Sequence, residues 1–141
     1  MNAGRNRRLS AGAVVVRETP DGFLFLLLRA FRHWDFPKGM VEEGESPFEG
    51  ALREIAEETT LADIEFPWGE DYVETGPYSR DKVARYYLGR TTRAHVELPV
   101  NEALGRPEHS EYRWATLAEA RKLAAPRVCD VIDWAARVIG A

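Results

Sequence analysis

Seven glutamates, Glu42, Glu43, Glu45, Glu49, Glu54, Glu57 and Glu58, crowd the stretch from Gly39 to Leu61, GMVEEGESPFEGALREIAEETTL. Glu54, Glu57 and Glu58 are spaced i, i+3 and i+4, so on a helix their carboxylates share one face. Like charges at that spacing repel and weaken the helix, and the face calls for something positive. Clustered carboxylate oxygens are hard ligands suited to Mg²⁺, with Mn²⁺ as the alternative; Mg²⁺ binds through a few carboxylates together with waters and substrate phosphates. A solvated acidic face is the bland reading. It loses ground because the helix follows a glycine-containing loop with acidic positions of its own. Directly before the stretch stand Arg29, Arg32, His33 and Lys38. Positive groups beside a carboxylate–metal site suit a polyphosphate, whose charge must be shared between metal and side chains.

A helix must hold those carboxylates, and the sequence supplies one. Ser46 can cap it, Pro47 fits its first position and Glu49 follows three residues after the cap. Phe48, Ala51, Leu52 and Ile55 recur at spacings of three and four, so another face wants a core. Before it, Leu9 to Arg17 and Phe23 to Arg29 read as buried strands joined through Pro20 and Asp21-Gly22 as a hairpin. Gly12 within the first strand admits either a close backbone approach to a ligand or a bulge. Trp34 is either a core plug or a ring for a nucleobase, and His33 is either a contact behind the substrate or an exposed loop residue. Ala62 to Thr75 reads as a strand, a kink and a second strand, with a turn at Gly76-Pro77.

Lys82 to Arg90 is a strand in which Val83, Arg85 and Tyr87 face one way and Ala84, Tyr86 and Leu88 the other. A Tyr on such a strand is ordinarily half-buried packing, but Tyr87 is also the leading ring to stack on a base. Thr92 to His109 is polar and irregular, a loop over one end of the fold, and Glu111 to Trp114 follows as a short strand. Thr116, with Glu119 three residues on, caps one helix, and Pro126 starts another with an apolar stripe of Val128, Val131, Ile132, Ala135 and Val138.

The chain has 141 residues, enough for one well-filled core and too few for two ordinary domains. Residues 1–8 are expected to form a flexible N-terminal arm and 9–141 a single domain. Hydrophobic residues make up 45% and charged residues 30%, as in a globular protein outside the membrane. The apolar run Phe23 to Leu28 is far too short to cross a bilayer. The single Cys129 fits a reducing cytoplasm and reads as a packed thiol rather than a nucleophile. A net charge of −4 gives no general reason to expect DNA as a partner.

The glutamate-rich stretch resembles the signature of the Nudix hydrolases: Gly, five residues, Glu, seven residues, then Arg-Glu-apolar-any-Glu-Glu-any-Gly-apolar. Gly39, Glu45, Arg53, Glu54, Ile55, Glu57, Glu58 and Leu61 stand in register. Thr60 departs, standing where the pattern has a helix-ending glycine, a place often held in the left-handed conformation that β-branched residues adopt poorly. The flanking pieces Trp34-Asp-Phe-Pro-Lys-Gly39, Val83-Ala-Arg-Tyr-Tyr-Leu88 and Glu108-His-Ser-Glu-Tyr-Arg-Trp114 are similar to those of the asymmetric diadenosine tetraphosphate hydrolases. Related RNA 5′-pyrophosphohydrolases and diphosphoinositol polyphosphate hydrolases share parts of them.

The resemblance implies an α+β fold of αβα sandwich type, a mixed β-sheet packed between helices. It implies Mg²⁺-dependent cleavage of a diphosphate linkage in a small nucleotide, with diadenosine tetraphosphate going to ATP and AMP. RNA 5′-triphosphate ends are the alternative, although no basic surface stripe is evident, and a non-catalytic nucleotide-binding module is a third reading. Glu54, Glu57 and Glu58 are assigned to the metal, together with the Gly39 carbonyl that the resemblance implicates. The base that takes the proton of the attacking water is either Glu54 or a carboxylate from outside the helix, Glu108 first and Glu111 as fallback. Arg53 is expected to orient a glutamate, with Glu45 as a structural partner. Arg29, Lys38 and Lys82 are expected on phosphates and Tyr87 on a nucleobase.

Overall fold

The computed structural model describes residues 8–141. The expected N-terminal arm lies outside them except for Arg8, which opens the first strand. The elements in order are β1 (Arg8–Thr19), β2 (Gly22–Ala30), β3 (His33–Asp35), β4 (Lys38–Met40), α1 (Pro47–Thr59), β5 (Val73–Tyr78), β6 (Lys82–Arg90), β7 (Val100–Asn101), β8 (Arg106–Pro107), β9 (Glu111–Ala115), α2 (Leu117–Leu123) and α3 (Pro126–Ile139). Seven strands form one mixed sheet with the path β3-β2-β1-β6-β5, while β4 pairs with β1 and β9 with β2. β1 and β6 run parallel, from Arg8 beside Lys82 to Val16 beside Arg90; the other pairings are antiparallel.

Alternation along the strands divides the core in two. Ala11, Ala13, Val15, Leu26, Leu28 and Tyr87 meet Ala51 and Ile55 of α1 on one face. Val14, Val16, Phe25, Leu27, Tyr86 and Leu88 meet Val128, Val131, Ile132 and Ala135 of α3 on the other. The result is the expected sandwich, with α1 alone on one side and α2 and α3 on the other. Among the described residues no helix is long and apolar enough to cross a membrane.

Local chemistry fixes α1. Ser46 Oγ accepts from the Glu49 N–H, the Glu49 carboxylate accepts from the Ser46 N–H, and Pro47 opens the helix. The helix ends at Thr60, whose φ of 64° and ψ of 6° are left-handed, with its N–H bonded to the Ala56 carbonyl at 2.9 Å. Thr60 thus does in a strained conformation what glycine does freely. Leu52, counted on the apolar face from its spacing, is 36% exposed at the edge of that face.

Two expectations are corrected here. Gly76-Pro77 is not a turn between elements but lies inside β5, where pairing with β6 shifts register between Thr75 and Tyr78. An edge strand tolerates both the bulge and a residue without an N–H. Gly12 makes its close approach to the chain itself. A Cβ there would lie 2.0 Å from the Pro37 carbonyl oxygen and 2.5 Å from Lys38 Cβ, so its glycine lets β4 lie against β1.

Candidate active site

Helix α1, strand β4 and the segment just before β9 converge at one end of the sheet. Arg53 anchors them. Its Nη2 donates to Glu45 Oε1 at 2.8 Å and to the Met40 carbonyl at 2.9 Å, and its Nε to Glu45 Oε2 at 3.1 Å. Its Nη1 donates to Glu54 Oε1 at 2.9 Å and to Glu57 Oε2 at 3.1 Å. One guanidinium therefore ties the signature loop, β4 and two helix carboxylates together, with Glu45 as the bidentate partner. The Glu45 carboxylate is held below its ordinary range chiefly by the Arg53 hydrogen bond, and the Arg53 guanidinium is correspondingly raised.

Gly39 explains itself by clearance. A Cβ on it would sit 2.1 Å from the Glu54 carboxyl carbon, so only glycine lets that carboxylate lie against the β4 backbone. Burial pushes the Glu54 carboxyl up, opposed by its bond to Arg53.

Glu58 is in a different state. Its side chain is only 7% exposed, and its Oε1 accepts the Lys38 backbone N–H at 3.3 Å. Burial first, then the neighbouring Glu108 and Glu54 carboxylates, pushes it up to about 10. Among the described residues no Lys or Arg side chain pairs with Glu58 or Glu108. Their titratable neighbour is His109, with Nδ1 4.0 Å from Glu58 Oε1 and 3.9 Å from Glu108 Oε2. Burial lowers the His109 imidazole and favours its neutral form. One ligand atom from each of Glu58, Glu108 and His109 can be chosen so that all lie within 4.8 Å of one another.

A divalent cation fits this arrangement on the donors alone: two oxygens and a nitrogen converge, and the buried carboxylate has no protein cation to balance it. Arg53 sets one positive charge against Glu45, Glu54 and Glu57, and Glu58 and Glu108 have no Lys or Arg partner among the described residues, so the whole cluster is short of positive charge.

Two clefts share these carboxylates. The larger, about 600 Å³, runs between α1 and the β7–β8 hairpin and is bounded by Glu54, Glu57, Glu58, Glu108 and His109 on one side and Leu98, Pro99 and Val100 on the other. The smaller, about 440 Å³, is bounded by Gly39, Glu54, Glu58 and Glu108 with Arg8, Lys38, Lys82 and Tyr78. It brings Lys38 and Lys82 to the carboxylates, as the charge argument requires.

Of the remaining placements, those of Arg29, Glu111 and Tyr87 differ from expectation, while Trp34 and His33 each take one of their two expected places. Arg29 lies on β2 with Phe25 and Leu27, whose face packs on α2 and α3. It pairs with Glu111 Oε1 at 3.0 Å and borders neither cleft. Glu111, paired with Arg29 across the β2–β9 register, likewise borders neither cleft. Tyr87 is 4% exposed, wedged edge-on against Phe48 at 5.0 Å and Tyr72 at 5.5 Å, so no open face remains for a base. The exposed ring of that group is Tyr72, 47% exposed beneath the Arg85 guanidinium at 3.9 Å. Trp34 is a core plug, 8% exposed, and His33 is exposed at the start of β3. His109 is the residue the sequence reading passed over; its adjacency to Glu108 in the chain was the available signal.

Comparison with known proteins agrees with the signature. The NUDIX domain model matches residues 6–135. A bis(5′-nucleosyl)-tetraphosphatase (asymmetrical) of Caenorhabditis elegans is 33% identical over 121 residues, covering 82% of this chain and 83% of the relative. An RNA pyrophosphohydrolase of Azorhizobium caulinodans is 27% identical over 124 residues, covering 77% and 73%. Among solved structures, a C. elegans Ap4A hydrolase binary complex superposes with a TM-score of 0.75 at 24% identity, covering 95% of this chain and 99% of that one, which speaks to the fold. Signature, sandwich and family model agree: the chain belongs to the NUDIX family and is a Nudix hydrolase.

Proposed function

We propose that this chain cleaves diadenosine tetraphosphate asymmetrically, to ATP and AMP, in a Mg²⁺-dependent reaction. The observation that carries the reading is the juxtaposition of a charge-deficient carboxylate pair, Glu58 and Glu108, with Lys38 and Lys82 around one cleft. Polyphosphate recognition needs both signs of charge: cationic side chains for the phosphates remote from the reacting bond, and anionic ligands for the cation beside it. The asymmetrical tetraphosphatase relative supports this substrate.

When bound, Mg²⁺ supplies neutralisation of phosphate oxygens and acidification of a water molecule. The residues do the rest. Glu58, Glu54 and Glu57 with the Gly39 carbonyl would hold the cation, and Arg53 keeps Glu54 and Glu57 in place. Glu108, 48% exposed beside Glu58, is placed to take the proton of the attacking water, with Glu54 as the alternative base. Lys38 and Lys82 orient the phosphate chain.

Product chromatography tests the reading. The protein with Mg²⁺ is offered diadenosine tetraphosphate, triphosphorylated RNA, ADP-ribose and nucleoside triphosphates at equal concentration. Fastest conversion of the first to ATP and AMP supports it. Preferential release of phosphate or pyrophosphate from RNA ends would favour the second reading, which the Azorhizobium relative supports. No cleavage of any would leave a nucleotide-binding module.

A further inference from the structure

The oxygen ligands Gly39, Glu54, Glu57 and Glu58 account for a hard cation, but they leave His109 without a part. Its imidazole is 13% exposed and borders the same cleft as Glu54, Glu57 and Glu58. At 4.0 and 3.9 Å from the two carboxylate oxygens it is too distant to hydrogen-bond to either. Those distances suit another geometry. Donors on one octahedral ion, each about 2.1 Å from it, lie about 3 Å apart when adjacent and about 4.2 Å apart when opposite. Nδ1 lies within that span of each carboxylate oxygen, and one ligand atom from each of the three residues lies within 4.8 Å of the others, so small side-chain shifts close the set around one ion.

We propose that His109 Nδ1 is a nitrogen ligand to a divalent cation shared with Glu58 and Glu108. The assignment rests on the metal-dependent reading above and, by engaging Glu108 with the cation, gives the role of base to the alternative, Glu54. It has a consequence for the choice of metal. All-oxygen sites suit Mg²⁺ and Mn²⁺, whereas an imidazole favours the later first-row ions, so this position binds Co²⁺ or Zn²⁺ in preference to Mg²⁺. The site differs from the oxygen set at Gly39 and Glu54 in ligand type, and the two positions prefer different ions.

The direct test is pulsed electron paramagnetic resonance of the untagged protein loaded with one equivalent of high-spin Co²⁺, the ion this position prefers, prepared with ¹⁴N- and with ¹⁵N-labelled histidine. The expected spectrum carries an imidazole-nitrogen coupling that changes with the isotope and disappears in H109Q. Isothermal titration should show the Co²⁺ dissociation constant rising about tenfold in H109Q, with that for Mg²⁺ changed less than twofold. The chain has three histidines. The variant H33Q/H95Q, which leaves only His109, must therefore retain the coupling, and it decides the question if H109Q does not fold. Absence of the coupling in the wild type, or its loss from H33Q/H95Q, overturns the assignment, as does equal weakening of Co²⁺ and Mg²⁺ in H109Q. Because the readout is binding, it separates from the hydrolase reading. Coupling without turnover on any of the four substrates keeps the ligand and discards the catalysis, and turnover without coupling does the reverse.

Discussion

Two partly buried clusters of charge flank the sheet, and they are built on opposite principles. On the α3 side, Asp35 accepts from the Tyr86 hydroxyl at 3.0 Å and from Arg127 Nη2 at 2.9 Å, while Arg127 Nη1 donates to Tyr86 at 3.0 Å and to Thr75 at 2.8 Å. Acid and base balance, and burial of the Arg127 charge is outweighed by Tyr86 and Asp35, which hold it above its ordinary value. On the α1 side, Glu58 and Glu108 stand together with His109, and among the described residues no Lys or Arg side chain is paired with either carboxylate. The first cluster is complete and ties α3 to β3, β5 and β6. The second has no Lys or Arg partner among the described residues, and on the proposed reading a cation takes that place and marks the functional end.

Four expected outcomes break or sharpen this contrast. The largest falls on the deficient cluster: Glu58→Gln should lower turnover with saturating Mg²⁺ about 1,000-fold, equivalent to about 4 kcal/mol in the barrier. Metal-free thermal stability should not drop, because buried Glu58 is already protonated at neutral pH. Steady-state kinetics and calorimetry on the one variant give both numbers. Arg127→Met should do the opposite, costing about 2 kcal/mol and lowering Tm by about 7 °C, because half-buried Asp35 keeps only Lys38, at 3.7 Å, and the Tyr86 hydroxyl. Scanning calorimetry reads it, and a loss below about 1 kcal/mol would demote the network to decoration.

The third outcome concerns pH. Glu58 titrates near 10 in the folded chain against an ordinary 4.5, so between those values the folded state holds more protons than the unfolded one. Its contribution to stability is full below pH 4.5 and is lost as pH rises towards 10, by up to about 1.4 kcal/mol per pH unit. Urea midpoints of metal-stripped protein at pH 6, 7.5 and 9 should fall in that order, and saturating Mg²⁺ should flatten the trend. A flat metal-free series would mean that Glu58 is not carrying the burial. The smallest effect is Thr60→Gly, which relieves the left-handed threonine and should raise stability by about 1 kcal/mol with activity unchanged.

Much of this was legible in the chain because it rests on local rules. The Ser46-Pro47-Glu49 start of α1, the Thr116 and Glu119 cap of α2 and the hairpin of β1 and β2 follow from capping and turn chemistry that neighbours in sequence supply. The grouping of Glu54, Glu57 and Glu58 follows from helical spacing. What escaped was set by long-range contact. Three-residue strands such as β3 and β4, separated by Pro37, show no periodicity to read. Alternation placed Tyr87 and Arg85 on one face but could not say that Phe48 and Phe66 cover part of it. Asp35 and Arg127 meet 92 residues apart, and His109 reaches Glu58 only because the long segment after β6 folds back over α1. Arg29 and Lys38 read as one basic cluster in sequence; the sheet sends Arg29 to Glu111 and leaves Lys38 at the cleft.

The most direct test of the central claim counts protons. Mg²⁺ is titrated calorimetrically into the metal-free protein at pH 7.5 in two buffers of different ionisation enthalpy, for the wild type and for E58Q. A buried Glu58 that must deprotonate to bind the cation predicts release of about one proton per ion in the wild type and none in E58Q. Binding without proton release, or equal release from both proteins, would contradict the account that Glu58 is a neutral acid awaiting its metal.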